Sequence, residues 1–203
     1  MELCSLPKAR EEVQMVSALL GVRCLLGERA TKEEVLRRIK DVSLVHIAAH
    51  GDAERGEIAL APNSSVTGVS LKDDVVLTVK QIAEVGIRAK LVVLSCCHSA
   101  RRKILKAKGV VGIARAFLGS GAQSVLMSLW AVDDEATKAF MNIFYKCPIH
   151  RKMSASEALH HAIKNTRESS KYKDFKYWAP FVLLGDDVKI GLNDISMFLV
   201  LIL

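Results

Sequence analysis

Residues 91–98 read Leu-Val-Val-Leu-Ser-Cys-Cys-His, and this stretch does most to decide the fold. Its first four residues are continuously apolar and too few for a buried helix, which is typical of a strand covered on both faces. Upstream, Leu44–Ala49 has the same character and is followed by His50 and Gly51. Downstream, Ser124–Leu129 repeats it, and Phe181–Leu184 supplies a last strand. These segments predict a largely parallel central sheet.

Helical periodicity fills the intervals between the strands. Apolar residues recur every three or four positions in segments that begin near Ala9, Thr31, Val79, Val110, Ala136 and Ser154. Two of these segments open with a Ser/Thr-x-x-Glu capping box, Thr31-Lys-Glu-Glu34 and Ser154-Ala-Ser-Glu157. Short strands are predicted at residues 57–61 and 75–78. Strands that alternate with helices predict an α/β fold, a three-layer sandwich with helices on both faces of the sheet.

The length of 203 residues suits one domain. We expect that domain to comprise residues 1–189, followed by an apolar C-terminal tail at residues 190–203. The apolar run Ile195–Leu203 is well short of the roughly 20 residues that a membrane-spanning helix requires, so no membrane span is predicted. It could instead be a packed strand or a sticky tail.

Composition and charge are those of an ordinary globular protein, with 50% hydrophobic and 25% charged residues. The net charge of +7 could favour acidic partners, including nucleic acid. However, the densest basic run, residues 101–108, has no interleaved aromatic residue on which bases could stack. We therefore interpret it as solvated surface and expect no nucleic-acid partner.

The five cysteines are odd in number and irregularly spaced, and no secretory signal precedes them. This predicts reduced thiols and an intracellular, cytoplasmic location. The potential metal ligands are Cys96, Cys97, His98, Cys147, His150, His160 and His161. They lack the paired spacing of a structural zinc site, so we predict no metal and no cofactor.

His50 and Cys97 both follow predicted buried strands, where parallel sheets bind their ligands. A cysteine nucleophile needs a base that generates the thiolate, and the two residues usually come from separate parts of the sequence. Cys97 follows His50 by 47 positions. That order and distance agree with the roughly 50 residues that separate the pair in caspases, although the local Gln-Ala-Cys signature of caspases is absent.

Three sequence motifs, two of which include His50 and Cys97, resemble those of a known protein family. The stretches His-Ile-Ala-Ala-His50-Gly51, Ser-Cys-Cys97-His-Ser and Ser-Leu-Trp130-Ala-Val-Asp133 resemble those of the CHAT domain, the caspase-like domain associated with tetratricopeptide repeats. The resemblance extends from about Leu6 to Asp186. It implies a cysteine endopeptidase with His50 as base, Cys97 as nucleophile, and the amides of Gly51 and Cys97 as oxyanion donors. It also implies tetratricopeptide repeats in full-length relatives, and a protein substrate or protein partner.

The resemblance also implies strand material before Leu6, so the N-terminus could be clipped and a sheet edge left for the apolar tail to cover in part. A competing hypothesis makes the domain a non-catalytic interaction or scaffold module.

Several single residues carry narrower predictions. Alternation along a strand turns Cys96 away from the cleft, towards packing. Asp133 either faces a basic substrate side chain or caps the next helix. His46 and His98 are expected to be packed or to face solvent. The two tryptophans, Trp130 and Trp178, are predicted to be core aromatics.

Overall fold

A computed structural model describes residues 7–52, 55–63, 74–96, 108–191 and 198–202 of the chain. Its strands are β1 (Leu25–Leu26), β2 (Leu44–Ala48), β3 (Gly51–Asp52), β4 (Glu57–Ala59), β5 (Val76–Thr78), β6 (Leu91–Leu94), β7 (Ser124–Ser128), β8 (Phe181–Gly185) and β9 (Phe198–Ile202). Its helices are α1 (Pro7–Leu20), α2 (Lys32–Arg38), α3 (Val79–Glu84), α4 (Lys108–Gly119), α5 (Asp134–Arg151) and α6 (Ala155–Glu168). Short 3-10 turns cover Gly27–Arg29, Ile39–Asp41 and Phe175–Tyr177.

The described residues form two sheets. The main sheet has the strand order β1-β9-β2-β6-β7-β8, and all neighbours in it are parallel except β7 and β8. A small antiparallel sheet contains β3, β4 and β5. The predicted α/β fold with a mostly parallel sheet is therefore confirmed. The antiparallel direction of β8 is an addition to the prediction.

Helices cover both faces of the main sheet and, in the described part of the chain, enclose two large cores; Ala9, Val13 and Ala48 form a third, small cluster. Alternate side chains of β2 divide between the two large cores, since Val45 and Ile47 join one core and Leu44 the other. The first core contains apolar side chains of α2, α3 and α4. The second contains side chains of α1, α5 and α6, including Val16, Phe140 and Ala158. This division explains why most strand positions are apolar, and two polar exceptions, His46 and Ser124, are themselves buried.

Side-chain caps fix where the helices begin. Ser154 and Glu157 form the predicted capping box at the start of α6. Thr31 caps α2 as predicted, with its hydroxyl accepting from the Glu34 amide at 3.3 Å. The Glu34 carboxylate, however, pairs with Arg37 and Arg38, and the Arg37 guanidinium lowers the pKa of Glu34 to about 2. The full box predicted at Thr31 is wrong, because two guanidinium groups compete for the carboxylate.

Strand β9 lies inside the main sheet. It pairs with β2 from Leu44–Phe198 to Ala48–Ile202, and with β1 through Leu25–Leu201 and Leu26–Ile202. Residues 198–202 of the apolar segment thus contribute a strand. Within the described ranges, no helix is both long and apolar enough to span a bilayer.

Candidate active site

The main sheet brings the ends of four strands together along one edge. Because β2, β6 and β7 are parallel neighbours, their last residues, Ala48, Leu94 and Ser128, lie at the same end of the sheet. Strand β8 runs in the opposite direction, and its first residue, Phe181, pairs with Ser128. We call this end of the sheet the carboxyl edge. Parallel sheets bind their ligands at such an edge.

His50 lies at the carboxyl edge, two residues beyond β2, and is only 7% exposed. Its carbonyl oxygen accepts a hydrogen bond from the Ala59 amide at 2.9 Å. Gly51 then pairs with Ile58 as the first residue of β3. The small antiparallel sheet therefore holds the backbone at the predicted base and at the predicted oxyanion donor.

Cys97 and His98 lie outside the described residues, as do residues 101–107 of the basic run. The last described residues before them continue the β2–β6 pairing, since the Ser95 amide donates to the Ile47 carbonyl at 2.8 Å. The catalytic pair of His50 and Cys97, and the oxyanion donors Gly51 and Cys97, consequently stay predictions.

Cys96 packs against the first core, beside the strand side chains Val92 and Leu94. The prediction that Cys96 turns towards packing is confirmed. Desolvation of the side chain raises the pKa of the Cys96 thiol to about 12. A thiol that stays protonated at neutral pH is a poor nucleophile, so of the two adjacent cysteines Cys96 is unsuited to catalysis.

Asp133 is exposed and caps helix α5, because its carboxylate accepts a hydrogen bond from the Ala136 amide at 3.1 Å. A carboxylate at this position also interacts favourably with the helix dipole. Capping uses one carboxylate oxygen, Oδ1. The substrate-binding role of Asp133 stays a prediction.

A buried polar cluster is centred on His46 of β2, four residues before His50. His46 of β2 is fully buried; its Nδ1 lies 2.8 Å from the Tyr145 hydroxyl and its Nε2 lies 3.1 Å from Oε1 of Glu12. Burial, reinforced by the charge of Glu12, raises the pKa of Tyr145 well above its ordinary value. The hydroxyl therefore keeps its proton and can donate it to Nδ1. The predicted packed role of His46 is confirmed.

Sequence reasoning missed Glu12 and Tyr145. The available signal was the position of Glu12 on the α1 face that also carries Ala9, Val13 and Val16, since a carboxylate within an apolar face must find a polar partner. Tyr145 carried no comparable signal, because a tyrosine on a buried helix face usually serves as an apolar residue.

Cys147 of α5 and His161 of α6 contact each other, with 3.3 Å between Sγ and Nδ1. Nη1 of Arg151 lies 2.8 Å from Nε2 of His161. The thiol donates to the Ile143 carbonyl at 3.3 Å, and burial raises its pKa. A thiol that is held in its protonated form is a poor nucleophile. Among the described residues, no group of three His, Cys, Asp or Glu is arranged to hold a metal ion.

Trp130 and Trp178 are half-buried, so the prediction that they are core aromatics is wrong. Each indole N–H donates to a backbone carbonyl of the segment before β8, Trp130 to Lys176 and Trp178 to Lys173, both at 3.1 Å. The polar indole N–H explains why these side chains lie near the surface, because a solvated loop offers hydrogen-bond acceptors that an apolar core does not.

Comparison with known proteins supports the resemblance given by the motifs. The sequence profile of the CHAT domain matches residues 1–186. Tetratricopeptide repeat protein 28 of Homo sapiens is 32% identical over 217 residues, which cover 92% of this chain. Tetratricopeptide repeat protein 28 of Mus musculus gives the same identity and coverage. The chain spans only 9% of the length of each of these relatives.

Proposed function

Since this chain belongs to the CHAT domain family, we propose that it is a caspase-like cysteine endopeptidase domain with His50 as base and Cys97 as nucleophile. One observation carries the proposal. Strands β2 and β6 pair in parallel from Leu44–Leu91 to Ile47–Leu94, an offset of 47 residues. The same offset separates His50 from Cys97. His50 and Cys97 therefore each follow the last paired residues, Ile47 and Leu94, by three positions, which would bring both residues to the same part of the carboxyl edge.

The facing of the strand side chains agrees with this arrangement. On β2, Leu44 faces the second core, and residues at even positions share its side. On β6, Leu91 and Val93 face the same core, and residues at odd positions share their side. Continued alternation would turn His50 and Cys97 to one side of the sheet and Cys96 to the other. The observed packing of Cys96 against the first core fits that expectation.

The proposed reaction is acyl transfer. His50 accepts the thiol proton, and the Cys97 sulfur attacks the carbonyl carbon of the scissile peptide bond. The amides of Gly51 and Cys97 donate to the oxyanion of the tetrahedral intermediate. The imidazolium then protonates the leaving amine as the C–N bond breaks. Water, deprotonated by His50, hydrolyses the thioester and restores the thiol.

The test is site-specific alkylation of Cys97 by iodoacetamide, followed by peptide mass spectrometry at neutral pH. If His50 activates the thiol, Cys97 reacts at least about tenfold faster than the half-buried Cys24, and His50→Ala removes most of that difference. Cys96→Ser is the matched control and leaves the rate of Cys97 unchanged. Equal rates at Cys97 and Cys24, unaffected by His50→Ala, would instead support a non-catalytic interaction or scaffold module.

The proposal also covers the repeats that accompany the domain and its location in the cell. The relatives are named for tetratricopeptide repeats, and we propose that such repeats in the full-length protein recruit the protein substrate or partner. We also propose an intracellular location, in which the described cysteines Cys24, Cys96 and Cys147 are kept as free thiols.

A further inference from the structure

The segment Lys171–Trp178, which precedes β8, lies at the carboxyl edge. Strand β8 begins there at Phe181, and Phe181 pairs with the last residue of β7. The hydrogen bond from the Trp130 indole to the Lys176 carbonyl ties this segment to the loop that follows β7. We call residues 171–178 together with Trp130 the aromatic–lysine patch.

The patch has an ordered aromatic framework. The rings of Tyr172 and Tyr177 meet edge to face with centroids 5.5 Å apart. The Trp178 indole donates to the Lys173 carbonyl, and Asp174 caps the 3-10 turn by accepting from the Lys176 amide. These contacts hold the short turn that begins at Phe175. The Phe175 side chain is left 65% exposed, which is unusual for a large apolar residue.

Lys171, Lys173 and Lys176 flank Phe175 along the chain. The ammonium groups of Lys171 and Lys176 lie 5.0 and 4.9 Å from the ring centroids of Tyr172 and Tyr177. Asp174 pairs with Lys176 at 3.4 Å. In the part of the chain that the structure describes, no carboxylate lies within ion-pair distance of Lys173. The segment therefore carries three lysines, at positions 171, 173 and 176, and one aspartate, Asp174.

The side of the patch towards β7 is less favourable for an anion. Lys171 is within electrostatic range of Asp133 and Glu135, which would oppose a carboxylate placed there. The combination of an exposed ring and an unpaired cation is thus strongest around Phe175 and Lys173.

We propose that the aromatic–lysine patch is a docking surface for a protein segment in which an apolar side chain is flanked by carboxylates. The apolar side chain packs on Phe175, and a carboxylate pairs with Lys173. Single-stranded nucleic acid fits the patch less well, because it needs successive free ring faces and lysines occupy those of Tyr172 and Tyr177.

The position of the patch links it to the proposed catalysis, and this step rests on the proposed function. Strand β8 is two strands from β6 and three from β2. At about 4.8 Å per strand, the start of β8 is roughly 10–14 Å along the edge from the ends of β6 and β2. An extended segment covers that distance in roughly three or four residues. A segment docked on the patch can therefore continue along the edge towards the bond that is cut.

Binding is tested separately from catalysis, with the Cys97→Ser chain and fluorescence anisotropy. The probe is a fluorescein-labelled peptide of a dozen residues with one leucine flanked on each side by glutamates. We expect Phe175→Ala and Lys173→Glu each to weaken binding about tenfold or more. Lys40→Glu, which replaces an exposed lysine before β2 at the opposite edge, is the matched control and changes the affinity less than about twofold.

Three outcomes overturn the proposal: no binding of the acidic peptide, equal binding by the patch variants and the control, or tighter binding of an oligothymidylate of the same length. The outcome is separable from that of the alkylation test, which needs no docked peptide. Peptide binding without activation of Cys97 would leave the docking surface intact on a non-catalytic module. If Cys97 is activated but the peptide does not bind, the docking surface is refuted and the proposed catalytic function is retained.

Discussion

At the scale of single residues, the feature with the largest consequence for the fold is the burial of Glu12, His46 and Tyr145. A buried polar group is tolerated only when its partners are present, and removal of one partner leaves the others to bear the cost of desolvation. Here the three groups connect α1, β2 and α5. They hold the strand that leads to His50 against two helices.

Tyr145→Phe therefore should destabilise the domain by about 1–3 kcal/mol, because it leaves His46 Nδ1 buried without its donor. Urea denaturation followed by circular dichroism gives the free energy of unfolding. Tyr177→Phe, which alters a half-buried tyrosine of the surface patch, should change it by less than about 0.5 kcal/mol. Equal losses in the two variants would show that the hydroxyl of Tyr145 has no special role.

The raised pKa of Cys96 gives a second prediction for a single residue. In the Cys97→Ala chain, Cys96 should be alkylated by iodoacetamide at least about tenfold more slowly than the half-buried Cys24 at pH 8. The rate at Cys96 should keep rising as the pH is raised towards 12, since the reactive thiolate forms only there. Rapid alkylation of Cys96 at pH 8, measured by mass spectrometry, would contradict its packing.

At the scale of elements, helix starts show where sequence rules succeed. Ser154 is buried, its hydroxyl accepts from the Glu157 amide at 3.3 Å, and Glu157 accepts from the Ser154 amide at 2.7 Å. This reciprocal pair anchors α6, whose alanines at 155, 158 and 162 pack into the second core. Loss of the cap therefore affects the packing of a whole helix.

We expect Ser154→Ala to lower the free energy of unfolding by about 1–2 kcal/mol, through the loss of an N-cap. Thermal and urea denaturation both report this change. The control Ser170→Ala removes an exposed hydroxyl beyond α6 and should change stability by less than about 0.5 kcal/mol. If the two alanine variants match, the cap does not anchor the helix.

The elements also show what the sequence could not give. Buried strands such as β6 are predictable because four apolar residues followed by polar ones have few other interpretations. Strand β3 has two residues and no pattern to recognise. The antiparallel direction of β8 is seen only in its pairing with β7, which is a tertiary contact. At the end of β8, Gly185 has no room for a side chain, because a Cβ would collide with the Gln123 carbonyl. For the site, the ends of the predicted buried strands indicated which residues were candidates. The partners Glu12 and Tyr145 depended on tertiary packing.

At the scale of the whole molecule, β9 determines whether the main sheet is complete. Its backbone pairs with all five residues of β2, so its loss would expose the hydrogen-bonding groups of a central strand. The edge strand β1 depends on it as well, through Leu25 and Leu26. The integrity of the sheet beside His50 thus rests on residues 198–202.

A chain that ends at Gly191 should therefore self-associate, and size-exclusion chromatography with light scattering should show species of at least dimer mass. Val200→Pro, which removes a backbone donor from β9 without shortening the chain, should shift the elution in the same direction. A clean monomer from both variants would show that β2 does not need this neighbour.

The pairing of β1 with β9 also bears on how the protein is made. Leu25 meets Leu201, a partner 176 positions later in the chain. During synthesis, β1 has no strand to pair with until residue 202 has left the ribosome. Contacts so distant in sequence slow folding. The sheet can close only after translation of the region is finished, and until then a chaperone has time to bind.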